Sequence, residues 1–375
     1  QAIKTAFVPQ DVRLAKWIYW GMSVTLFVIF ASYRPLLYKY LPKTLSAYFA
    51  AFFVIVLLSK VIVLLFLFPE DITRLMRFVF SKVTSAPPVA EGITRSQFLS
   101  RLALVAAAVP AGTLLYGIIA NAYNYQFRKV AIRFPNLPEA FHGFRIVHLS
   151  DIHSGSFTRT EPLVEVVEKI NKLNADLILF TGDLVNNVST EMEPYMHIFD
   201  KLQAKHGVYS STGNHDYGER WREDDVADEL TRRMNDLGIQ MLRNAIHDVR
   251  GLQVIGLDDL WGPNFAPTPI LNQRDRNAAA LVLCHNPDAV DKPEWSDYRG
   301  WILSGHTHGG QCKPPLRTPP ILPVRNARYA AGEADLSDGR RLYVNRALGY
   351  LHRVRFNVRP EITVFTLERA AAATT

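Results

Sequence analysis

Cysteine is nearly absent: Cys284 and Cys312 are the two in a chain of 375 residues, too few for a disulfide framework. Histidine is missing from the first 128 residues, and all 11 lie beyond them. Charged residues make up 21% and hydrophobic residues 48%, with mean hydropathy +0.01. That balance excludes a disordered or low-complexity chain. Acidic residues are short at one end. Residues 1–128 hold 13 Lys and Arg against 4 Asp and Glu, whereas residues 129–375 hold 29 against 31. The pI of 9.3 therefore belongs to the first third, and it marks no nucleic-acid groove.

The first third offers uninterrupted apolar sequence instead. Residues 17–33 are 17 without a charge, 45–68 are 24 with one charge, Lys60, and 102–123 are 22 with none. A bilayer core about 30 Å thick takes about 20 helical residues. Three transmembrane helices are expected there, the first of marginal length. Trp17, Tyr19, Trp20 and Tyr33 edge the first run, as suits the headgroup level. Ile72, Leu75, Met76, Val79 and Val83 recur at helical spacing, opposite Arg74, Arg77 and Ser81. This predicts an interfacial amphipathic helix near 71–83, stopped by Ala86-Pro87-Pro88. Lys60 reads as a snorkelling or helix-facing residue. Arg95 to Arg101 lacks the adjacent arginine pair of an export signal and reads as the positive flank of a membrane helix. With the N-terminus inside, eight basic residues fall on inside segments and six on outside segments. The count favours a multi-pass protein of the inner cell membrane with its large C-terminal domain outside the cytoplasm.

After residue 128 the pattern changes. Residues 129–142 read as a linker, 143–368 as a folded domain and 369–375 as a tail. Strands are expected at 144–150, 175–181 and 207–212, with helices at 161–174 and near 193–205 between them. This is a βαβαβ rhythm, the mark of a layered α/β domain. A helix at 224–237 follows, then strands at 252–257, 280–284, 300–304, 341–345 and 361–367. Just past strand ends stand Asp151, His153, Asp183, Asn214, His215, His285, His306 and His308. Ligands bind at that edge of open α/β sheets. Two carboxylates, an amide and several imidazoles suit Mn²⁺, Fe or Zn²⁺ and exceed the needs of one ion. The surplus predicts two metal ions sharing a carboxylate.

Gly213-Asn214-His215-Asp216 and the run Gly305-His306-Thr307-His308-Gly309-Gly310-Gln311 are the most specific pieces. Together with Asp151-Ile152-His153 and Gly182-Asp183 they resemble the calcineurin-like metallophosphoesterase superfamily, in its membrane-anchored bacterial branch. The resemblance implies a four-layer β-sandwich of two mixed sheets flanked by helices. It implies that Asp151, His153 and His308 bind one ion, that Asn214, His285 and His306 bind the second, and that Asp183 bridges both. His215 would sit over the leaving group, oriented by Asp216. Position 186 is Asn where many members have Asp, and Cys312 stands where an aliphatic residue is common; both cysteines read as small apolar packers.

The implied activity is hydrolysis of phosphate diesters or pyrophosphates, with His215 as general acid. Membrane anchoring suggests a lipid-linked phosphate substrate; a soluble diester is the other reading. A scaffold with a non-catalytic domain is disfavoured by the intact ligand set, and nucleic acid by the net charge of −2 over residues 129–375. Arg353 and Arg355 read either as contacts to a distal phosphate or as solvated arginines. Asp258 and Asp259 read as structural, and Trp261, Trp295 and Trp301 as cleft-shaping or packing residues.

Overall fold

The computed structural model describes residues 9–32, 43–84, 93–314, 317–351 and 353–370. The expected stops at 34–35 and 86–88 lie outside these residues. The chain divides into two compact units, Gln1–Ile119 and Ala120–Thr375.

The first unit consists of α1 (Pro9–Ser32), α2 (Lys43–Thr84) and α3 (Ile93–Ile119). Ala51–Phe80 and Phe98–Ile118 are long and apolar enough to cross a membrane, while Lys16–Ser32 in α1 is shorter. Trp17, Phe27, Leu64, Leu65, Val105 and Val109 are exposed, an apolar surface that water does not favour. Phe30 of α1 stacks on Phe53 of α2 at 4.1 Å. Lys60 Nζ donates to Ser23 Oγ at 3.0 Å and lies 5.3 Å from the Tyr19 ring centroid. The ammonium thus faces the neighbouring helix, one of its two readings. The separate interfacial helix expected at 71–83 is instead the continuation of α2, which runs through Pro69. Proline costs a helix one hydrogen bond and a kink, and no glycine or turn cluster stands between residues 45 and 83 to end it.

The second unit holds two six-stranded sheets. Its elements, in chain order, are β1 (Gln126–Phe134), β2 (Arg145–Leu149), α4 (Glu161–Asn171), β3 (Leu177–Thr181), α5 (Met196–Phe199), β4 (Val208–Ser211), α6 (Asp224–Asp236), β5 (Ile239–Met241), β6 (Ala245–Val249), β7 (Leu252–Gly256), α7 (Pro267–Leu271), β8 (Ala279–Leu283), β9 (Trp301–Ser304), β10 (Gly332–Asp335), β11 (Arg341–Val344) and β12 (Glu361–Arg369). The orders are β1-β12-β2-β3-β4-β5 and β10-β11-β9-β8-β7-β6. Strands β2 to β5 run parallel, as do β7, β8, β9 and β11.

Alternation along the strands explains the layers. Leu177 and Leu179 of β3 meet Leu281 and Leu283 of β8 in the core between the sheets. Ile178 and Phe180 turn the other way, against Leu163, Val166 and Ile170 of α4. Val282 of β8 packs outward with Val290 and Trp295. Because the central strands are buried on both faces, they read as continuous apolar runs. The result is a four-layer α/β sandwich.

Two expectations are corrected. The segment read as a linker at 129–142 contains most of β1, which pairs in parallel with β12 over nine residues. Val130, Ile132 and Phe134 alternate with Lys129, Ala131 and Arg133 and face the core between the sheets, a period-two signal present in the sequence. The helix expected near 193–205 is a 3-10 turn, Ser189–Tyr195, followed by the four-residue α5. Pro194, which lacks an N–H, interrupts the α-pattern there.

Candidate metal centre

The parallel strands deliver their following loops to one edge. Asp151 and His153 follow β2, Asp183 follows β3, Asn214 and His215 follow β4, His285 follows β8, and His306 and His308 follow β9. Asp151, His153, Asp183, His306 and His308 have φ of 52°, 49°, 52°, 68° and 51°. Left-handed backbone in residues other than glycine costs about 1–3 kcal/mol each and concentrates at functional sites. Two glycines make the close approach feasible. A Cβ at Gly213 would lie 2.3 Å from Asp183 Oδ1, and one at Gly305 1.8 Å from Ser150 Oγ and 2.2 Å from Asp151 Oδ2.

Among the described residues, two buried groups have ligand atoms within 4.8 Å of one another: Asp151 with His153 and His308, and Asp183 with His285 and His306. In the first, His308 Nε2 lies 3.2 Å from Asp151 Oδ1 and 3.1 Å from His153 Nε2. In the second, His285 Nε2 lies 3.0 Å from Asp183 Oδ2. The same Asp183 oxygen is 3.6 Å from His153 Nε2, so this carboxylate stands between the groups.

On three of the rings an oxygen acceptor outside the ligand groups holds one nitrogen. His153 Nδ1 meets Asn186 Oδ1 at 2.9 Å, His285 Nδ1 the Thr181 carbonyl at 2.6 Å, and His306 Nε2 the Pro323 carbonyl at 3.3 Å. An oxygen acceptor fixes the proton on that nitrogen and leaves the other with its lone pair, the arrangement found in metal-binding histidines. His285 Nε2 and Asn214 Oδ1 are buried without a hydrogen-bond partner of good geometry. Buried polar atoms are rarely left so. The donor set therefore fits a pair of divalent cations.

Electrostatics point the same way. Burial drives His153 and His306 down to about 3, so both rings are neutral, as ligands must be. Burial alone would also lower His285, but the Asp183 and Asp151 carboxylates outweigh it and hold its pKa well above the usual value. Burial would raise Asp183; His285 and His215 outweigh that and hold it well below the usual range. Two buried carboxylates thus demand positive charge at this point.

His215 lies at the rim, its ring 5.1 Å from that of His153. Its Nδ1 donates to the Asn186 carbonyl at 2.7 Å, and its backbone N–H donates to Asp183 Oδ1 at 2.9 Å. The expected orientation of His215 by Asp216 is corrected. Asp216 is buried and accepts backbone N–H groups from Asp183, Leu184, Val185 and Gly213 at 2.8–3.3 Å. The 3-10 turn Asn214–Tyr217 directs the carboxylate back into the loops, where it knits the Asp183 and Asn214 turns together. Burial, with Asp183 beside it, pushes Asp216 up to about 7 against the pull of those donors.

Arg355 is corrected as well. It is fully buried, and its guanidinium donates to the carbonyls of Arg346, Ala347 and Gly349, which leaves it no reach to a substrate. Arg353, 7% exposed, donates to Thr158 Oγ1 at 2.9 Å and lies 5.0 Å from the Tyr123 ring. Asp258 pairs with Arg243, and Asp259 accepts the Trp261 N–H at 2.8 Å. Trp295 and Trp301 pack in cores, and Cys284 packs beside Trp295 in the same cluster.

Trp261 behaves differently: its ring lies 4.7 Å from His306 and stacks at 5.0 Å on Trp221, which lies 5.9 Å from His215. The two indoles form a wall between His215 at the rim and the buried His306. Sequence reasoning missed Trp221. Its signal was a lone tryptophan in the charged loop Gly218-Glu219-Arg220-Trp221-Arg222-Glu223, an apolar group with no amphipathic face to join.

Residues 144–310 match the family model of the calcineurin-like phosphoesterases, and residues 1–122 match that of the probable calcineurin-like phosphoesterase transmembrane domain. The metallophosphoesterase YkuE of Bacillus subtilis is 34% identical over 74% of this chain and 98% of its own length. The phosphodiesterase YaeI of Escherichia coli is 30% identical over 60% of this chain and 82% of its own. The UDP-2,3-diacylglucosamine pyrophosphatase LpxG of Chlamydia trachomatis is 29% identical over 60% and 85%. The chain belongs to the calcineurin-like metallophosphoesterases, as a member with a transmembrane domain ahead of its phosphoesterase domain.

Proposed function

We propose that this chain is a membrane-anchored phosphoesterase that hydrolyses phosphate diester or pyrophosphate bonds with two divalent cations drawn from Mn²⁺, Fe and Zn²⁺. Asp151, His153 and His308 would hold one ion, Asn214, His285 and His306 the other, with Asp183 shared. The observation that carries this reading is the position of Asp183 Oδ2, 3.0 Å from His285 Nε2 and 3.6 Å from His153 Nε2. Bound ions of this kind supply Lewis acidity toward phosphoryl oxygens and lower the pKa of water.

The chain's own groups do the rest. The Asn186 carbonyl holds the His215 Nδ1–H and so fixes the ring, leaving Nε2 to give a proton to the leaving oxygen as the ester bond breaks. The Trp221–Trp261 wall screens that region from water and favours a bulky, apolar or planar substituent over a small one.

The transmembrane domain supports a lipid-linked substrate met at the bilayer surface, and the similarity to LpxG, a UDP-2,3-diacylglucosamine pyrophosphatase, supports the same class. The basic-residue count supports an extracytoplasmic phosphoesterase domain in a multi-pass inner-membrane protein. The deciding experiment is metal analysis of the purified full chain with paired assays on UDP-2,3-diacylglucosamine and a soluble aryl diester. About two ions per chain with turnover of the lipid nucleotide is expected. A preference of about a hundredfold for the soluble diester, near 2.7 kcal/mol of barrier, rejects the lipid reading. Absence of both metal and turnover favours a scaffold.

Asn186 offers a finer test. Asn186→Leu removes the acceptor from His153 Nδ1, 2.9 Å away, while keeping the carbonyl that serves His215. Metal affinity, measured by chelator competition, is expected to fall about 10–100-fold. Unchanged affinity removes Asn186 from any part in holding the ligands.

A further inference from the structure

We propose that the sheet edge opposite the metal centre carries a second anion site, shaped for a ligand bearing two or more phosphoryl groups. The inference stands independently of the phosphoesterase reading. A cavity of about 540 Å³ is lined by Arg133, Arg274, Arg276, Arg299 and Arg341, with Asp297. Residues 129–375 carry no excess of basic residues, so five guanidiniums around one space reflect placement and not composition.

The topology fixes where this space lies. Its lining includes Ala278 and Ala280 at the start of β8, Gly300 and Trp301 at the start of β9, and Arg341, the first residue of β11. His285 and His306 follow the opposite ends of β8 and β9. Arg133 and Phe134 end β1. Strand β1 runs parallel to β12 and β12 antiparallel to β2, so the end of β1 lies at the edge where β2 begins. A five-residue strand spans about 16 Å, which separates the cavity from the metal-centre loops.

Two of the cations are held before any ligand arrives. Arg274 donates to the Leu271 carbonyl at 2.6 Å and its guanidinium lies 5.6 Å from the Tyr298 ring centroid. Arg341 lies 5.7 Å from that of Trp301. Fixed, planar guanidiniums suit phosphate oxygens through paired N–H donors and spend little entropy on binding. Asp297 is shared by Arg274 at 2.9 Å and Arg276 at 3.2 Å. Arg133 pairs with Glu368, and Arg341 with Glu333 and Asp335. The pairs of Arg133, Arg276 and Arg341 are exposed and contribute about 0–1 kcal/mol each, so a multiply charged anion replaces them readily. The volume lies within the range of small-molecule sites, about 300–1,000 Å³, and leaves room for more than one phosphoryl group.

The test uses the full chain in detergent, chelator-treated so that the metal centre takes no phosphate. Two probes are titrated calorimetrically: inorganic tripolyphosphate and dioctanoylglycerol pyrophosphate. Saturable binding that weakens with salt is expected. The pair Arg276→Glu and Arg299→Glu should weaken it about tenfold or more, and Arg276→Lys with Arg299→Lys should retain most of it. All three proteins should melt alike; if the Glu pair fails to fold, Arg276→Ala alone, at an exposed position, gives the same reading. Tighter binding of tripolyphosphate identifies a soluble ligand, and tighter binding of the lipid identifies a headgroup; either supports the site. No saturable binding, or binding indifferent to the Glu pair, overturns it.

Discussion

Replacing Asp183 by Ala is expected to lower turnover by about 10⁴-fold and to remove metal from both positions together. The carboxylate has two tasks. Its Oδ2 stands between the two histidine groups, and its Oδ1 accepts the His215 backbone N–H. Asp183→Asn separates them, because the amide oxygen still accepts an N–H while the charge is gone. If the negative charge is what seats the cations, the Asn variant loses metal nearly as completely as Ala. It also keeps the melting temperature closer to that of the parent, since the Asn214 turn stays tied. Metal analysis and kcat on the same preparation read both effects. Two ions per chain in the Ala variant, with turnover within about tenfold of the parent, would sink the shared-carboxylate scheme.

His215→Ala is expected to lower kcat by about 10²–10⁴-fold with metal content unchanged. The ring makes its contact at Nδ1 to a backbone carbonyl and lies at the rim, so its loss leaves Asp151, Asp183 and the other histidines in place. A leaving-group series sharpens the reading. An aryl oxide of low pKa departs without help, so its esters should suffer little from the change. Alkyl esters should suffer most, because the leaving oxygen needs the proton. A uniform loss across the series, or loss of metal in the Ala variant, contradicts the role of general acid.

Much of the site was legible because its chemistry is concentrated at strand ends. Apolar strands buried on both faces announce themselves, and the polar residues after β2, β3, β4, β8 and β9 then fall at one edge by topology alone. What the sequence could not reveal was the direction of side chains within tight turns. The family resemblance implied that Asp216 orients His215; the 3-10 turn sends the carboxylate to four backbone N–H groups instead. Arg355 lies two residues from Arg353, yet it is buried against three carbonyls, a fate set by loop packing that no local pattern encodes. Strand β1 was missed because its polar face and its place beside the membrane segment disguised an alternation that was there. The Trp221–Trp261 wall joins residues 40 apart in number, and pairing of that kind follows from the fold alone.

The placement of β12 between β1 and β2 bears on biosynthesis. The first strand made after the membrane helices finds its neighbour in Glu361–Arg369, after more than two hundred intervening residues have left the ribosome. Until that late segment arrives, the edges of β1 and β2 stay open on a nascent chain whose membrane helices are already synthesised. Completion of this sheet therefore waits on a late segment, and the interval before it is when the unfinished domain is most open to edge-to-edge association.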